Sequence, residues 1–178
     1  MRCRFVNLNN QKYIDYHDKE WGKKWHDDKY LYEILILETF QSGLSWEIVL
    51  NKRDAFRACL DNFDYEKIIN YDEAKLKELY KNKDIIRNKA KIDSIIVNTK
   101  IFIDIKKEYG SFNNFIWSFT DNKVIVNMDK YLTHSSLSDK ISKYLKQRGM
   151  KYIGSTTIYS YLQAIGIIND HEDMCDFK

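Results

Sequence analysis

One glutamate, Glu38, stands out as a side chain that could do chemistry. It lies on the same helical stripe as Leu31, Ile34 and Leu35, where a carboxylate costs free energy unless it is paired or hydrogen-bonded. One interpretation is a glutamate at a helix edge that is hydrogen-bonded to a neighbouring turn. The other is a carboxylate that lines a pocket, because acids with perturbed pKa values concentrate at functional sites.

The residues after Glu38 could place an aromatic ring beside that carboxylate. The run 41–46 (QSGLSW) predicts a helix stop, a serine cap at Ser45 and then Trp46 just inside the next helix. A side chain in that position could form a flat wall next to the acid.

A second cluster, at residues 13–22 (YIDYHDKEWG), brings three aromatic side chains, one histidine and several charges into ten residues. On the pattern alone, a structural interpretation is favoured, in which Tyr16 and Trp21 are core residues and His17 is a hydrogen-bond donor.

Cysteine and histidine occur near both ends of the chain. Cys3 and His17 lie near the start, and His171 and Cys175 lie near the end with H-x3-C spacing. Two cysteines and two histidines would complete a tetrahedral structural zinc site with no open position. The spacing does not show that the two halves meet. Cys59, on a helical stripe, is better interpreted as a core residue.

A candidate nucleic-acid surface follows from residues 146–157 (KQRGMKYIGSTT). This run predicts a helix, a glycine-flanked hairpin and a helix N-terminus rich in hydroxyl side chains. Free backbone N–H groups at such a terminus bind phosphate. Residues 85–91 (IIRNKAK) add a basic helix start, although basic helix starts are commonly just solvated.

The elements that must position these residues are helical throughout, so the predicted fold class is all-α. The spacing of apolar residues and caps predicts helices at these positions: from Asp27 and Asp28 to Gln41, Ser45 to Arg57, Asp64 to Asn70, Asp72 to Lys81, Asn88 to Lys107 ending at Gly110, from a Ser111 cap to Phe119, from a Ser136 cap to Gly149, and Ser155 to Ile165 ending at Gly166. Residues 121–134 show no helical period, and 124–126 (VIV) is predicted to be extended.

Composition sets broad bounds on the protein. The 178 residues, 44% hydrophobic and 31% charged, suit one domain over residues 1–178, in which the termini and the helical core could form two small lobes. No apolar run approaches a membrane span. Residues 1–13 lack the apolar stretch of a signal peptide, so we expect a cytoplasmic protein, most simply a monomer. Three cysteines argue against a disulfide framework. The net charge of +3 does not demand a nucleic-acid partner.

Taken together, these runs resemble the DNA-3-methyladenine glycosylase I family, which belongs to the helix-hairpin-helix glycosylases. The resemblance covers essentially the whole chain, in order, and YHDKEWG and LETFQSGLSW are its most specific motifs. The matching runs are 13–22 (YIDYHDKEWG), 37–46 (LETFQSGLSW), 84–92 (DIIRNKAKI), 115–119 (FIWSF), 142–157 (SKYLKQRGMKYIGSTT) and 159–171 (YSYLQAIGIINDH).

The resemblance implies an assignment for each candidate residue. Cys3, His17, His171 and Cys175 fall on the family's zinc ligands, which implies one structural zinc that ties the N- and C-termini. Glu38 falls on a residue of the family's base pocket and is the implied catalytic residue. The other implied base-binding residues are Tyr16, Trp46, Phe5 and Trp21, and the implied DNA-binding residues are Gly149, Lys151, Gly154, Ser155, Thr156, Arg87 and Lys89.

The implied activity is removal of 3-methyladenine from alkylated double-stranded DNA, leaving an abasic site. The nucleotide would have to rotate out of the duplex into the pocket. Two rivals belong to other classes. A zinc-stapled DNA-binding module would need neither Glu38 nor Trp46, and a zinc hydrolase would need an open metal position that a four-ligand set lacks.

Overall fold

The computed structural model describes residues 1–127 and 132–178, and this part of the chain is predominantly helical. It contains one short 3-10 helix, Asp61–Phe63, and two short strands, β1 (Ile125–Val126) and β2 (Ile168–Asn169). The α-helices are α1 (Gln11–Lys19), α2 (Asp28–Gln41), α3 (Trp46–Asn51), α4 (Arg53–Cys59), α5 (Tyr65–Ile68), α6 (Glu73–Lys81), α7 (Lys89–Tyr109), α8 (Phe112–Ser118), α9 (Ser136–Gln147) and α10 (Ser155–Ala164).

Most helix ends lie where the cap residues predict them. The Asp27 carboxylate accepts from the Tyr30 N–H at the start of α2, and the Asn88 side chain caps α7 in the same way. Gly110, with φ +80°, ends α7, and Ser111 caps α8. These caps satisfy N–H groups that have no partner within the helix, so local chemistry alone fixes the boundaries.

Three local predictions need correction. The single helix predicted from Ser45 to Arg57 is two helices that break at Lys52, whose N–H bonds back to Val49 and Leu50 in a tight turn. The break involves neither proline nor glycine, so the periodicity gave no sign of it. Ser135, not Ser136, caps α9, since the Ser135 and Ser138 side chains form a reciprocal capping box. Helix α1 was not predicted.

Helix α2 runs through the centre of the molecule. Every residue from Leu31 to Phe40 is buried, and α3, α7, α8 and α10 pack against the helix. Leu31, Ile34, Leu35 and Glu38 of the predicted stripe are all buried, but the residues between them are buried too, because neighbouring elements cover the helix on several sides. Cys59 is buried, as predicted for a core residue.

Two loops approach each other closely beside α10. Gly166 has φ +78°, and a Cβ atom at this position would lie 2.2 Å from the carbonyl oxygen of Lys23. Only glycine fits there. The contact holds the segment after α1 against the end of α10, where Trp25 N–H also donates to Ile165 O.

Of the extended segment predicted at 124–126, residues 125 and 126 form β1, which pairs in parallel with β2 in the register Ile125 with Ile168. The predicted lack of helix from residue 121 to 134 is confirmed for 121–127 and 132–134, and 128–131 lie outside the described residues. Among the helices of the described ranges, none is both long and apolar enough to cross a membrane.

Candidate active site and metal centre

A cavity of about 240 Å³ opens between α1, α2, α3 and α10. Its volume lies below the roughly 300–1,000 Å³ of pockets for drug-sized ligands, so it suits one small planar group. Aromatic rings form most of the wall, and a few polar side chains complete it. The lining residues are Phe5, Tyr13, Tyr16, Trp21, Glu38, Gln41, Trp46, Ser160 and Gln163.

The structure brings all five residues of the predicted base pocket into this one cavity. Tyr16 comes from α1, and Trp21 follows that helix. Glu38 lies near the end of α2, Trp46 is the first residue of α3, and Phe5 comes from the N-terminal segment. The contacts between α2 and α3 and between α1 and α3 fix the relative positions of these rings.

Helix α1 is fastened to α3 by a pair of asparagines. The side-chain nitrogens of Asn7 and Asn10 donate to Glu47 Oε1 at 2.7 and 2.8 Å. Asn10 also caps α1, where its side-chain oxygen accepts from the N–H groups of Lys12 and Tyr13. The same residue therefore starts the helix that carries Tyr16 and holds it next to the helix that carries Trp46.

Glu38 is buried with 2% of its surface exposed. Its Oε2 atom has no hydrogen-bond partner within residues 1–127 and 132–178. Burial raises the pKa of Glu38 well above its ordinary value, because removal from solvent disfavours the ionised form. Burial therefore favours the protonated form of this carboxyl group, and a cation in the cavity would favour the ionised form.

Two aromatic pairs surround the acid. The rings of Tyr16 and Trp46 lie 5.2 Å apart between centroids and are tilted by 47°. Trp46 Nε1 is buried without a hydrogen-bond partner in the described part of the chain. Phe5, which is 46% exposed, packs edge-on against Trp21 at 5.0 Å and stands at the solvent side. The cavity thus has an open aromatic rim and a desolvated floor.

Sequence reasoning missed four cavity residues: Tyr13, Gln41, Ser160 and Gln163. A signal was present for two of them. Ser160 and Gln163 lie three apart on α10, so they share one face of a helix whose neighbouring positions are buried. Polar residues on such a face could have been read as a second polar wall.

A cluster of possible metal ligands lies where the two ends of the chain meet. The ligand atoms of Cys3, His17 and Cys175 are all within 4.8 Å of one another, and all three residues are buried. Cys175 Sγ is 3.6 Å from His17 Nε2. Burial raises the pKa of the Cys3 thiol to about 12. The fourth predicted ligand, His171, is not in this close group.

The His171 ring nevertheless lies beside the cluster. Its ring centroid is 5.3 Å from that of His17, and its Nδ1 is 2.9 Å from Asn169 Oδ1. Its Nε2 is buried and has no partner in the described residues. Burial lowers the pKa of His171 to about 4, so the ring is neutral and Nε2 keeps a free lone pair. Two thiols and two imidazoles, one of which carries this unpartnered nitrogen, fit a zinc ion.

The surroundings of the cluster are typical of a metal site. His17 Nδ1 lies 2.8 Å from Asp18 Oδ1, and Arg2 holds the same carboxylate from its other side at 2.7 Å. Burial opposes ionisation of Asp18, but the hydrogen bonds from Arg2 and His17 outweigh it and lower the pKa of Asp18. A carboxylate in this position fixes the tautomer of a ligating histidine, so that Nε2 faces the metal.

Gly22 connects the cluster to the cavity. Its φ is +73°, and a Cβ atom there would lie 2.5 Å from His171 Cε1. Trp21, which lines the cavity, lies 4.5 Å from the His171 ring. The end of the YHDKEWG motif therefore needs glycine so that the pocket wall and the C-terminal histidine can pack together.

The predicted DNA-binding residues lie on two neighbouring elements. Gly149 (φ +96°), Lys151 and Gly154 lie between α9 and α10, and Ser155 and Thr156 begin α10. Lys151 and Thr156 are exposed, as are Arg87 and Lys89 at the start of α7. The Asn98 side chain joins the two elements, since it accepts from Lys151 N–H at 2.8 Å and donates to Lys151 O at 3.0 Å.

Two residues of these runs are engaged internally. The Ser155 hydroxyl is hydrogen-bonded to Ser138 at 2.8 Å and to Asp139, which leaves its backbone N–H rather than its side chain for a phosphate. Lys91, in the basic run 85–91, is buried and donates to the carbonyl oxygens of Phe40 and Ser42 at 2.8 and 2.6 Å. Lys91 thus holds the C-terminal end of α2 instead of facing solvent.

Comparison with known proteins gives one consistent answer. The family model of methyladenine glycosylases matches residues 6–178. DNA-3-methyladenine glycosylase 1 of Escherichia coli (strain K12) is 40% identical over 178 residues, which cover 98% of this chain and 95% of that protein. DNA-3-methyladenine glycosylase of Haemophilus influenzae (strain Rd) is 39% identical over 181 residues, with coverages of 99% and 97%. A solved 3-methyladenine DNA glycosylase I from Staphylococcus aureus superposes with a TM-score of 0.94 at 30% identity, covering 99% and 96%.

Proposed function

Since the chain belongs to the methyladenine glycosylase family, we propose that it removes 3-methyladenine from alkylated double-stranded DNA and leaves an abasic site. Similarity runs along almost the full length of both curated relatives, which carry this activity in their names. The proposal also places the whole of residues 1–178 in one domain, which is supported by a continuous core that includes Cys3 and Cys175.

The observation that carries the proposal is the state of Glu38. A buried carboxyl group without a partner is costly, and here it faces an aromatic cavity of about 240 Å³. A cationic purine would supply both the missing donor and the missing charge. Neither a DNA-binding module nor a zinc hydrolase gives this carboxyl group a role.

The chemistry of the substrate explains why so little catalytic machinery is needed. Methylation at N3 leaves the purine with a positive charge, and the base departs neutral when the glycosidic bond breaks. Water then adds to the sugar C1′ and releases a proton to solvent. Strong general-acid catalysis of the departing base is therefore unnecessary, and the protein's task is to hold the flipped base in the pocket.

Each cavity residue has a part in holding the base. Glu38 accepts a hydrogen bond from the exocyclic amine, and its charge favours the cationic base over normal adenine. Tyr16 offers a second hydrogen bond. Trp46 stacks on the base face, a contact worth roughly 1–3 kcal/mol, while Phe5 and Trp21 close the rim.

Phosphate contacts supply affinity that does not depend on sequence. We assign the α9–loop–α10 unit as the hairpin of a helix-hairpin-helix element, in which Gly149, Gly154 and the first N–H groups of α10 approach a phosphate. Arg87 and Lys89 would bind the neighbouring backbone, because Asn98 holds α7 against the loop. Affinity for undamaged duplex should then fall steeply as salt is raised. An affinity that is insensitive to salt would contradict this assignment.

The activity is tested by incubating purified protein with methylated DNA, without added metal or nucleotide. We expect release of free 3-methyladenine and the appearance of abasic sites in the recovered DNA. Heat-killed protein is the control. Folded protein that releases no more base than this control would refute the proposed function.

We also propose one structural zinc ion per chain, held by Cys3, His17, His171 and Cys175. The support is the close group of three ligands together with the unpartnered Nε2 of His171. When bound, the ion would supply a cross-link between the two ends of the chain and no open coordination position. The cytoplasmic location and the monomeric state stay predictions.

The zinc proposal has a matched pair of variants. Cys175→Ser should remove stoichiometric zinc and lower the melting temperature, while molecules that remain folded keep their excision activity. Cys59→Ser changes another buried cysteine that lies outside the cluster, so its zinc content should stay at one per chain. Substoichiometric zinc in freshly purified wild type, measured by elemental analysis, would refute the site.

A further inference from the structure

The side-chain amide of Gln163 is held in one orientation at the cavity wall. Gln163 lines the cavity, and its Nε2 donates to Asp170 Oδ2 at 2.6 Å. A carboxylate only accepts hydrogen bonds, so the nitrogen of the amide and not the oxygen must face it. The identity of the partner therefore decides which of the two side-chain atoms of Gln163, Oε1 or Nε2, faces Asp170.

Asp170 is itself fixed in place by two other residues. The Tyr159 hydroxyl donates to Oδ2 at 2.7 Å, and Asn127 Nδ2 donates to Oδ1 at 2.8 Å. Burial and the hydrogen bond to Asp170 raise the pKa of Tyr159, so its hydroxyl keeps its proton and donates. Asp170 is not one of the described residues that line the cavity. It acts from behind Gln163.

This network leaves only a hydrogen-bond acceptor of Gln163 for the cavity. With Nε2 turned to Asp170, the Gln163 carbonyl oxygen Oε1 lies on the opposite side of the amide and can only accept. A freely rotating glutamine could offer either a donor or an acceptor to a bound base. A glutamine fixed in this way cannot adapt.

We propose that Gln163, locked by Asp170 as an acceptor, is a specificity residue that selects 6-amino purines over 6-oxo purines. The proposal rests on the proposed function and deepens it. Gln163 contacts the base, and Asp170 is a positioning residue that acts through it.

The chemistry of the two alkylated purines explains the selection. 3-Methyladenine presents an amino group at C6, which can donate to Oε1. 3-Methylguanine presents a carbonyl oxygen at the same place, and two acceptors then face each other in a desolvated site. An unmatched buried polar group costs about 1–3 kcal/mol, and roughly 1.4 kcal/mol corresponds to a tenfold change in rate or affinity.

Asp170→Asn is the decisive variant because it allows the Gln163 amide to rotate while Gln163 itself stays in the cavity wall. The new side-chain nitrogen can donate to Gln163 Oε1, so the glutamine can turn and present Nε2 to the cavity. We expect the ratio of 3-methyladenine to 3-methylguanine released from methylated DNA in single-turnover assays to fall about tenfold. A loss of fold would lower both rates together, so it is recognised from the rates, and the ratio is compared only between variants that remain folded.

Tyr159→Phe is the matched control. It removes one hydrogen bond from the same carboxylate but leaves that carboxylate facing Gln163, so its product ratio should equal that of wild type. Because Asp170 precedes His171, metal content is measured for every variant and the comparison uses protein with equal metal.

Gln163→Leu gives an independent second test. It removes the acceptor and nearly keeps the volume, so 3-methyladenine release should fall while 3-methylguanine release stays the same or rises. Wild-type ratios in both Asp170→Asn and Gln163→Leu would overturn the specificity proposal. A wild type that releases neither base would instead overturn the proposed function, so the two failures are distinguishable.

Discussion

Two glutamates on helix α2 lie five residues apart and are both buried, yet their surroundings are opposite. Glu33 is 7% exposed, and its Oε1 accepts from Arg53 Nε at 2.6 Å and from Arg57 Nε at 2.8 Å. Glu38 is 2% exposed, and its Oε2 has no partner in the part of the chain that the structure describes.

The Glu33 side belongs to a network of charges. Arg53 also reaches Glu20, with contacts of 2.9 and 2.8 Å to its two carboxylate oxygens. Tyr30 donates to Glu20 at 3.0 Å, and the Arg53 guanidinium lies 5.9 Å from the Tyr30 ring. This network joins the end of α1, helix α2 and helix α4 inside the protein.

The difference shows how one helix separates structure from chemistry. Glu33 supports the fold, and its cationic partners, Arg53 and Arg57, are side chains of the same protein. Glu38 has no cationic partner in the described part of the chain, and burial alone raises its pKa. We interpret the missing cation as the bound base, so the folded protein carries a cost that the ligand offsets.

The largest expected effect comes from breaking the charge network around Glu33. Arg53→Met would leave Glu33 with one arginine and Glu20 with Tyr30 alone. Removing one partner of a buried ion pair costs about 3–5 kcal/mol of stability, measured by urea unfolding. Excision per folded molecule should stay near wild type, because Arg53 does not line the cavity.

A surface ion pair gives the control for Arg53→Met. Lys12 pairs with Asp54 at 2.6 Å, but both side chains are at least half exposed. Lys12→Met should therefore change stability by no more than about 1 kcal/mol. Equal losses from the two variants would contradict the contrast between the buried network and the surface.

The second prediction concerns Glu38, the buried glutamate without a cationic partner in the described residues. Glu38→Gln keeps the shape of the side chain but removes the charge, so it should fold normally and lose activity. Truncating one partner of a buried charge pair typically costs about 2–5 kcal/mol of binding, which corresponds to at least about 30-fold in single-turnover excision.

Glu33→Gln is the reciprocal test of the same contrast. It should lower the melting temperature while excision per folded molecule stays near wild type. Near-wild-type excision by Glu38→Gln would rule out the charge-based role of Glu38, whatever Glu33→Gln does.

Some features of this contrast could be predicted from the sequence, and others could not. Caps such as Asp27 and Ser111 act within a few residues, so helix starts were predictable from local chemistry. The break at Lys52 depends on how α3 and α4 pack, which no local pattern records. Glu33 was not singled out at all, because its partners Arg53 and Arg57 are 20 and 24 positions away.

The site shows the same division. Motif resemblance identified Glu38, Trp46 and the terminal cysteines by residue type. It could not show that Cys3 meets Cys175, nor that Gln163 is locked by Asp170, because both facts arise from tertiary contacts between distant segments. Residue types were thus predictable, and their partners were not.

The third prediction uses a ligand whose charge does not titrate. A 3,9-dialkylated adenine is a permanent cation, so any pH dependence of its binding belongs to the protein. Because burial raises the pKa of Glu38, the free protein must lose that proton when the cation binds. Affinity should therefore rise with pH, by at most about tenfold per pH unit for one proton, and level off once Glu38 is ionised without ligand.

Two comparisons isolate this effect in isothermal titration calorimetry. Neutral 9-methyladenine should bind with little pH dependence, and Glu38→Gln should lose the pH dependence for the cation. A wild-type affinity for the cation that is flat with pH would show that Glu38 does not exchange its proton for the ligand's charge.

The smallest effect concerns stability without ligand. The ordinary glutamate pKa is 4.5, and that of Glu38 in the folded protein lies well above it. Between these two values the folded chain keeps a proton that the unfolded chain has lost. The contribution of Glu38 to stability is therefore fully present below pH 4.5 and is lost as pH rises through the folded pKa, with a slope of at most about 1.4 kcal/mol per pH unit.

Glu38→Gln cannot lose that proton, so its stability relative to wild type should increase with pH and be greatest above neutrality. Asp15→Asn is the contrasting control. The hydrogen bonds from Lys19 and Gln11 lower the pKa of Asp15 below its ordinary value of 3.8, so the contribution of Asp15 to stability changes only below that pH, and the difference of this variant from wild type should be flat from pH 5 upward. Melting temperatures of the three proteins, measured without ligand from pH 5 to pH 9, decide the matter. A Glu38→Gln variant that falls below wild type as pH rises would mean that Glu38 is paired in the folded protein after all, and the contrast with Glu33 would then disappear.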